Sequence, residues 1–181
     1  MSIYLTVVVV ALGFPLVVWL GAGKIEPRML AVLLAVVFLT RLRALNLGAT
    51  ARWLFVATLA LLTAAIWANA LLPLKLYPVA VNAAMLGAFF YSLVVPPSMV
   101  ERIARLRDPE LPAPAIGYTR QVTQIWCVFF AVNGTIALAT ALWASPAVWW
   151  FYNGFLAYIL MGVLFAAEYC VRARFKRRYY A

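Results

Sequence analysis

Apolar residues come in long runs that recur from one end of the chain to the other, and polar residues are mostly confined to the breaks between them. A bilayer hydrocarbon core about 30 Å thick takes about 20 mainly apolar residues per helical crossing, and the runs are close to that length. They predict six spans, over 2–20, 25–43, 53–72, 76–95, 121–143 and 148–171, packed as one all-α integral membrane bundle with short loops. Pro15 in the first span needs a neighbouring helix or a local adjustment to cover the carbonyl it frees. The second run is short and meets Arg41 and Arg43, whose side chains would snorkel to the interface. Read as a re-entrant segment, that run leaves five spans. Pro73-Leu74-Lys75 and Ala144-Ser145-Pro146 read as the tight turns of two helical hairpins.

One extensive polar segment breaks the pattern, after Pro96-Pro97. Ser98 three positions before Glu101 has the form of a capping box and opens a short amphipathic helix over 98–107. Met99, Val100, Ile103 and Leu106 fall on one side of it and Arg102 and Arg105 off that side, the pattern of a helix lying in the membrane surface. The helix ends at Asp108-Pro109, and Leu111-Pro112-Ala113-Pro114 is expected to return the chain in an extended conformation.

Charge gives this frame an orientation. On six spans one side holds most of the arginines, including Arg102, Arg105, Arg120 and a basic tail over 172–181 with Arg172, Arg174, Lys176, Arg177 and Arg178. The other side holds only Lys24, Arg28 and Lys75. The positive-inside rule makes the basic side cytoplasmic, with both termini there; five spans put the N-terminus outside and satisfy the charges equally well. Trp143, Trp149, Trp150 and Tyr152 at the opposite turn, and Tyr179 and Tyr180 in the tail, are expected to be interfacial anchors. The net charge of +10 is explained by this asymmetry and by anionic lipid headgroups, not by nucleic acid.

Composition narrows the chemistry. With 67% apolar residues, against about 45–50% in an ordinary soluble domain, and 11% charged, no room is left for a separate soluble domain. The chain has no histidine, which removes the commonest general base and the usual zinc and haem ligand. Cys127 and Cys170, 43 positions apart in apolar runs, fit neither a metal site nor a disulfide framework and read as buried small apolar residues. There is no phosphate-binding glycine loop, nucleophile elbow or CxxC, so no catalytic, cofactor or metal residue is nominated and the protein is expected not to be an enzyme.

The polar positions inside the runs are mostly asparagines: Asn69, Asn82, Asn133 and Asn153, with glycine following the last two. Asn82, Asn133 and Asn153 are candidates to line a polar cavity; the competing reading is interhelical hydrogen bonding beside a close-packing glycine. Glu168, four residues before Arg172, suits an interfacial ion pair better than a proton relay. Asp108 and Glu110 lie in a loop without a third partner. The two hairpins match loosely at an offset of 71, which pairs Asn82 with Asn153, as repeats in transporters do.

The last two runs also carry a resemblance. Trp126-x-x-Phe129-Phe130-x-x-x-Gly134, then Trp143, Pro146 and Trp149, preceded by Leu111-Pro112-Ala113-Pro114, resembles the C-terminal half of the septation-protein-A (YciB) family of small bacterial inner-membrane proteins. Ile116 and Tyr118 stand where that family carries a tryptophan. Tyr118-Thr119-Arg120, Val122-Thr123, Trp126-Cys127, Phe129-Phe130 and Asn133-Gly134 are similar to membrane proteins encoded in aryl-polyene or xanthomonadin-type pigment gene clusters. The likeness covers about the last 70 residues and implies an envelope role without catalytic residues. The expectation is a multi-pass inner-membrane protein that docks envelope-biosynthesis or division proteins, or their lipid-linked product. Arg102, Arg105, Arg174, Lys176, Arg177 and Arg178 would form its cytoplasmic lipid or partner contact. The rival expectation is a component of a lipid or small-molecule transporter or flippase.

Overall fold

The computed structural model describes residues 25–29, 31–32, 59–61, 63–64, 66–68, 70–106 and 108–179, with side chains as far as 175. The first expected span, most of the second and part of the third, together with Asn69, lie outside the described residues. Every regular element among those described is helical: α1 (Leu72–Lys75), α2 (Tyr77–Val94), α3 (Met99–Arg105), α4 (Ala113–Trp143), α5 (Pro146–Phe151), a π-helical turn (Tyr152–Leu156) and α6 (Ala157–Tyr179). Three continuous stretches, Leu72–Val94, Ala113–Trp143 and Pro146–Phe175, are long and apolar enough to cross a membrane. Only 6% of the apolar window of the third is buried inside the protein. Side chains such as Val163 and Val171 therefore face outward, an exposure that a hydrocarbon surrounding relieves and water does not.

Prolines account for where the helices start. The break before α1 falls at residues 70–71, and Pro73-Leu74-Lys75, expected as a turn, is helical, because Pro73 sits in the first turn where its missing N–H has no helical partner to lose. For the same reason α4 begins at Ala113 with Pro114 in its first turn. The extended stretch is confined to Leu111-Pro112, and the helix starts eight residues before the expected boundary. At the next hairpin Ser145 caps α5, its Oγ accepting from Val148 N–H at 3.3 Å. The segment expected as a tail continues α6 to Tyr179.

α3 is fastened by groups from other elements. Its first N–H, on Met99, donates to Ser92 Oγ on α2 at 2.8 Å, and the second, on Val100, to Thr123 Oγ1 on α4 at 3.2 Å. These hydroxyls satisfy two of the four donors that a helix start leaves without intrahelical partners. Ser98 and Glu101 have the sequence of a capping box, and its glutamate half is closed by Ser98 N–H to Oε2 at 3.4 Å, while the buried Ser98 hydroxyl has no hydrogen-bond partner among the described residues. The Pro96–Pro97 bond that leads into α3 is cis.

The core divides into two clusters. At the hairpin-turn end, Trp149 is 1% exposed, packs with Leu74 and Ala141, and donates from its indole to Lys75 O at 3.1 Å. In the middle, Phe89, Val122, Trp126, Cys127 and Phe130 form the second cluster. Three expectations are corrected here. Trp149 and Tyr152 are buried, not interfacial, because the hairpin folds them against α1 and α4, whereas Trp143 is 81% exposed. Cys170 is exposed on α6, and only Cys127 is buried.

Candidate functional site

Between α2, α3, α4 and α6 runs a cavity of about 930 Å³. Its wall follows from helical periodicity: Ala115, Val122, Trp126, Phe130 and Asn133 recur along one face of α4, and the π-helical turn and α6 together present a matching face from Asn153 to Phe175. The middle is apolar. Trp126 centres it, 4.6 Å from the Phe165 ring, 5.6 Å from Phe130 and 6.4 Å from Phe89, with Met85 and Met161 alongside.

At the hairpin-turn end the wall becomes polar. Asn133 Nδ2 donates to Asn82 Oδ1 at 3.0 Å, Asn82 Nδ2 donates to Pro78 O at 2.8 Å, and Tyr152 OH donates to Asn133 Oδ1 at 2.8 Å. Gly134 makes this approach possible, since a Cβ on it would lie 3.0 Å from the Asn82 Cβ. Asn153 lines the same cavity, but its Nδ2 donates to Thr140 Oγ1 at 3.1 Å and to Trp149 O at 3.0 Å. The latter bond covers a carbonyl beside the π-helical turn, where the backbone pairing shifts to Ala157 N–H with Tyr152 O.

At the opposite, basic end the polar groups are charged. Glu168 Oε1 accepts from Tyr118 OH at 3.1 Å and its Oε2 pairs with the Arg172 guanidinium, one helical turn along α6. The Tyr118 ring stacks on Phe175 at 5.0 Å. The Glu168 carboxylate side chain is 9% exposed and Arg172 48%, so the acid is enclosed while the arginine fronts the opening. Asp108 and Leu111, from the segment after α3, line this mouth as well.

Of the residues singled out in the sequence, the structure therefore joins Asn82 to Asn133, brings Asn153 into the same cavity wall, and pairs Glu168 with Arg172. Arg102 is exposed but folds back on the α2–α3 corner: its Nε donates to Pro97 O at 2.7 Å and its Nη2 to Val95 O at 3.2 Å, at the C-terminal end of α2. Arg105 pairs with the buried Glu101 at 2.8 Å and reaches Pro109 O at 2.9 Å. Arg174 is exposed on α6, and the side chains of Lys176, Arg177 and Arg178 lie outside the described residues. No family profile, curated protein or solved structure matches the chain. The site is thus read from its own residues.

Tyr118 lines the cavity, Tyr152 bonds its Asn133, and Ser92 and Thr123 fasten the α3 wall; the sequence reading did not single these four out as site residues. Each is a hydroxyl within an apolar run, the kind of group that must find a partner inside a membrane. Tyr152 was masked by the tryptophans around it, which invite an interfacial reading. Asn133 has a further distinction: a second, apolar cavity of about 330 Å³ between α4 and α6, lined by Ile125, Val132, Leu160 and Leu164, reaches it and Tyr152 from the other side.

Proposed function

We propose that this chain is a non-enzymatic protein of the bacterial inner membrane that supports cell-envelope biosynthesis by holding a long amphipathic, lipid-linked product in the cavity. Proteins that make or use that product would dock at the basic face. The bundle has six spans, or five and a re-entrant segment, with its C-terminus in the cytoplasm. The carrying observation is one continuous cavity with an apolar, aromatic middle and hydrogen-bonding groups at both ends. From Tyr118 to Asn133 are 15 positions of one helix, about 22 Å at 1.5 Å per residue. The chains of one bilayer leaflet fill about 15 Å, half of the hydrocarbon core. An occupant that spans the cavity is therefore an extended chain, held straighter than the disordered chains of one leaflet, and meets the asparagine amides with a polar tip.

A transporter or flippase component is the second reading, favoured by Asn133, which stands in the wall between the two cavities. Photo-crosslinking from Met161 in native membranes, with identification of the attached lipids and proteins, tests the holding role. A defined long amphiphile or an envelope-biosynthesis protein is the supporting result. Met161→Trp, which narrows the cavity, is expected to lower recovery of the amphiphile without loss of thermal stability in detergent. If bulk phospholipids alone crosslink, and in equal amounts in both proteins, the holding role is wrong.

A further inference from the structure

We infer that the hairpin-turn end of the cavity selects a chain whose far tip is a neutral hydroxyl, with Asn153 Oδ1 accepting its proton. The inference rests on the cavity being a groove for a long chain, and it adds what that chain carries at its end.

The orientation of the Asn153 amide is fixed by its partners. Nδ2 donates to Trp149 O, which can only accept, and to Thr140 Oγ1, whose own proton goes to Ala137 O at 2.9 Å. Both amide hydrogens are therefore committed, and the remaining polar atom is Oδ1. The residue is 4% exposed. No described residue donates to Oδ1, yet the atom is not sealed in the packing, so it opens on the cavity that Asn153 lines.

The equivalent residue of the first hairpin shows the bond that Asn153 lacks. Asn82 and Asn153 stand at the offset of 71 that relates the two hairpins, and each bonds the carbonyl four residues back, Pro78 O at 2.8 Å and Trp149 O at 3.0 Å. Asn82 Oδ1 is then satisfied from within the protein, by Asn133 Nδ2 at 3.0 Å. The Asn153 oxygen is left to the occupant. An amide oxygen enclosed in an apolar span is costly without a partner, so a chain that brings an O–H gains a bond that a bare methyl end cannot make. A charged tip suits this end poorly. Amides supply no counter-charge, and Asn133, in the same wall, lies ten positions before the end of α4, about 15 Å along the helix and half the depth of the hydrocarbon core.

The full-length protein is purified in detergent, delipidated, exposed to an equimolar mixture of hexadecanoic acid and its ω-hydroxy and ω-methoxy derivatives, and examined by native mass spectrometry. The three chains share the same head and differ at the tip, where the methoxy group keeps the oxygen and loses the donor. The hydroxy chain is expected to be retained about fivefold over each of the others, the size of one net hydrogen bond. In Asn153→Ala that preference is expected to fall to about one while the unsubstituted chain is retained as before; a purely structural role for Asn153 would lower all three alike. The three-way comparison on the unaltered protein decides the matter by itself, should Asn153→Ala not fold. Equal retention of the hydroxy and methoxy chains, or a preference unchanged in Asn153→Ala, overturns the hydroxyl inference while the groove reading stands. Retention of no chain, or retention that Met161→Trp leaves untouched for all three, overturns both.

Discussion

Asn133 donates to Asn82 across the interface of α4 and α2 at 3.0 Å, and the same Asn133 accepts from Tyr152 at 2.8 Å, so one side chain ties three helical segments together. Its loss strands two side chains, whereas loss of Asn82 strands one, Asn133, and removes a bond to the Pro78 backbone carbonyl. Asn133→Leu is expected to cost about 1–3 kcal/mol, the range for leaving buried polar groups unpaired, and more than Asn82→Leu. In the double variant the shared bond is lost only once. A coupling of about 0.6 kcal/mol, and up to about 1.7, is expected from thermal or denaturant unfolding in detergent micelles. Additive losses would show that the two amides do not act as a pair.

The glycine beside this pair makes a separate prediction. A Cβ at Gly134 would stand 3.0 Å from the Asn82 Cβ, an atom fixed to the α2 backbone, so α2 must retreat to admit it. Overpacking of this kind costs about 1–3 kcal/mol, more than the roughly 1 kcal/mol that alanine gains over glycine within a helix. Gly134→Ala is therefore expected to lower the unfolding temperature. Gly87, Gly117 and Gly162 have open space at the Cβ position, and alanine at each is expected to hold or raise it. A Gly134→Ala protein as stable as the three controls would mean the helices are not held at this distance.

Two tryptophans at the same hairpin separate burial from interfacial anchoring. Trp149 is 1% exposed and bonds Lys75 O, while Trp143 is 81% exposed. Trp149→Ala is expected to cost about 3–5 kcal/mol, the range for removing a buried large aromatic. Trp149→Phe is expected to cost less, because it keeps the ring and gives up the indole bond. Trp143→Ala should leave unfolding nearly unchanged. Equal losses at the two positions would place both in the interface.

The contrast between those tryptophans also shows what the sequence could convey. Three helices long and apolar enough to cross a membrane were legible over 76–95, 121–143 and 148–171, close to the stretches 72–94, 113–143 and 146–175 of the structure, because run length against bilayer thickness is a strong constraint. The Asn133–Gly134 pair was legible as a packing device, and Glu168–Arg172 as an ion pair, because both depend on local spacing or on a small residue beside an amide. The partner of Asn133 depends on how α2 docks on α4, 51 positions away in the chain, and no local pattern encodes that. Proline misled in one direction. Pro73 and Pro114 read as breaks, yet each lies in a first helical turn, where the residue is tolerated. The cavity was legible only as three candidate asparagines; its charged mouth required the tertiary meeting of Tyr118 with Glu168, 50 positions apart.

The fastening of α3 predicts a local effect without a global one. Ser92→Ala and Thr123→Val each remove the hydroxyl that receives an N–H at the start of α3, from Met99 and Val100 respectively. The cost falls on a seven-residue helix, so it should appear as local opening before it appears as global unfolding. Hydrogen exchange across 99–105 is expected to quicken about five- to tenfold per lost bond, the equivalent of about 1 kcal/mol, with exchange in the middle of α4 unchanged. Because Val100, Ile103 and Ala104 wall the cavity, an occupant should also leave faster from the double variant. Unaltered exchange at α3 would mean that its capping pair, Ser98 and Glu101, suffices.

The C-terminal basic residues make the last prediction, and their placement on a continuing helix sharpens it. α6 runs to Tyr179 without a break, so Arg174, Lys176, Arg177 and Arg178 leave the apolar segment on a helix held just beyond it. Each basic residue close to an anionic membrane surface contributes about 1 kcal/mol, and the contribution fades with salt. A quadruple change to glutamine is therefore expected to weaken binding of anionic-lipid vesicles to the basic face of the reconstituted protein, or of a partner protein docked there, most strongly at low ionic strength. The thermal unfolding of α2 against α4 should be unaffected, since none of the four touches that interface among the described contacts. Arg102→Gln is the informative comparison. Its guanidinium holds Val95 O and Pro97 O, so its loss is expected to loosen the α2–α3 corner and leave vesicle binding nearly intact. If the quadruple variant binds anionic vesicles as the parent does, the contact face is not the tail; if Arg102→Gln loses binding instead, that face lies on α3.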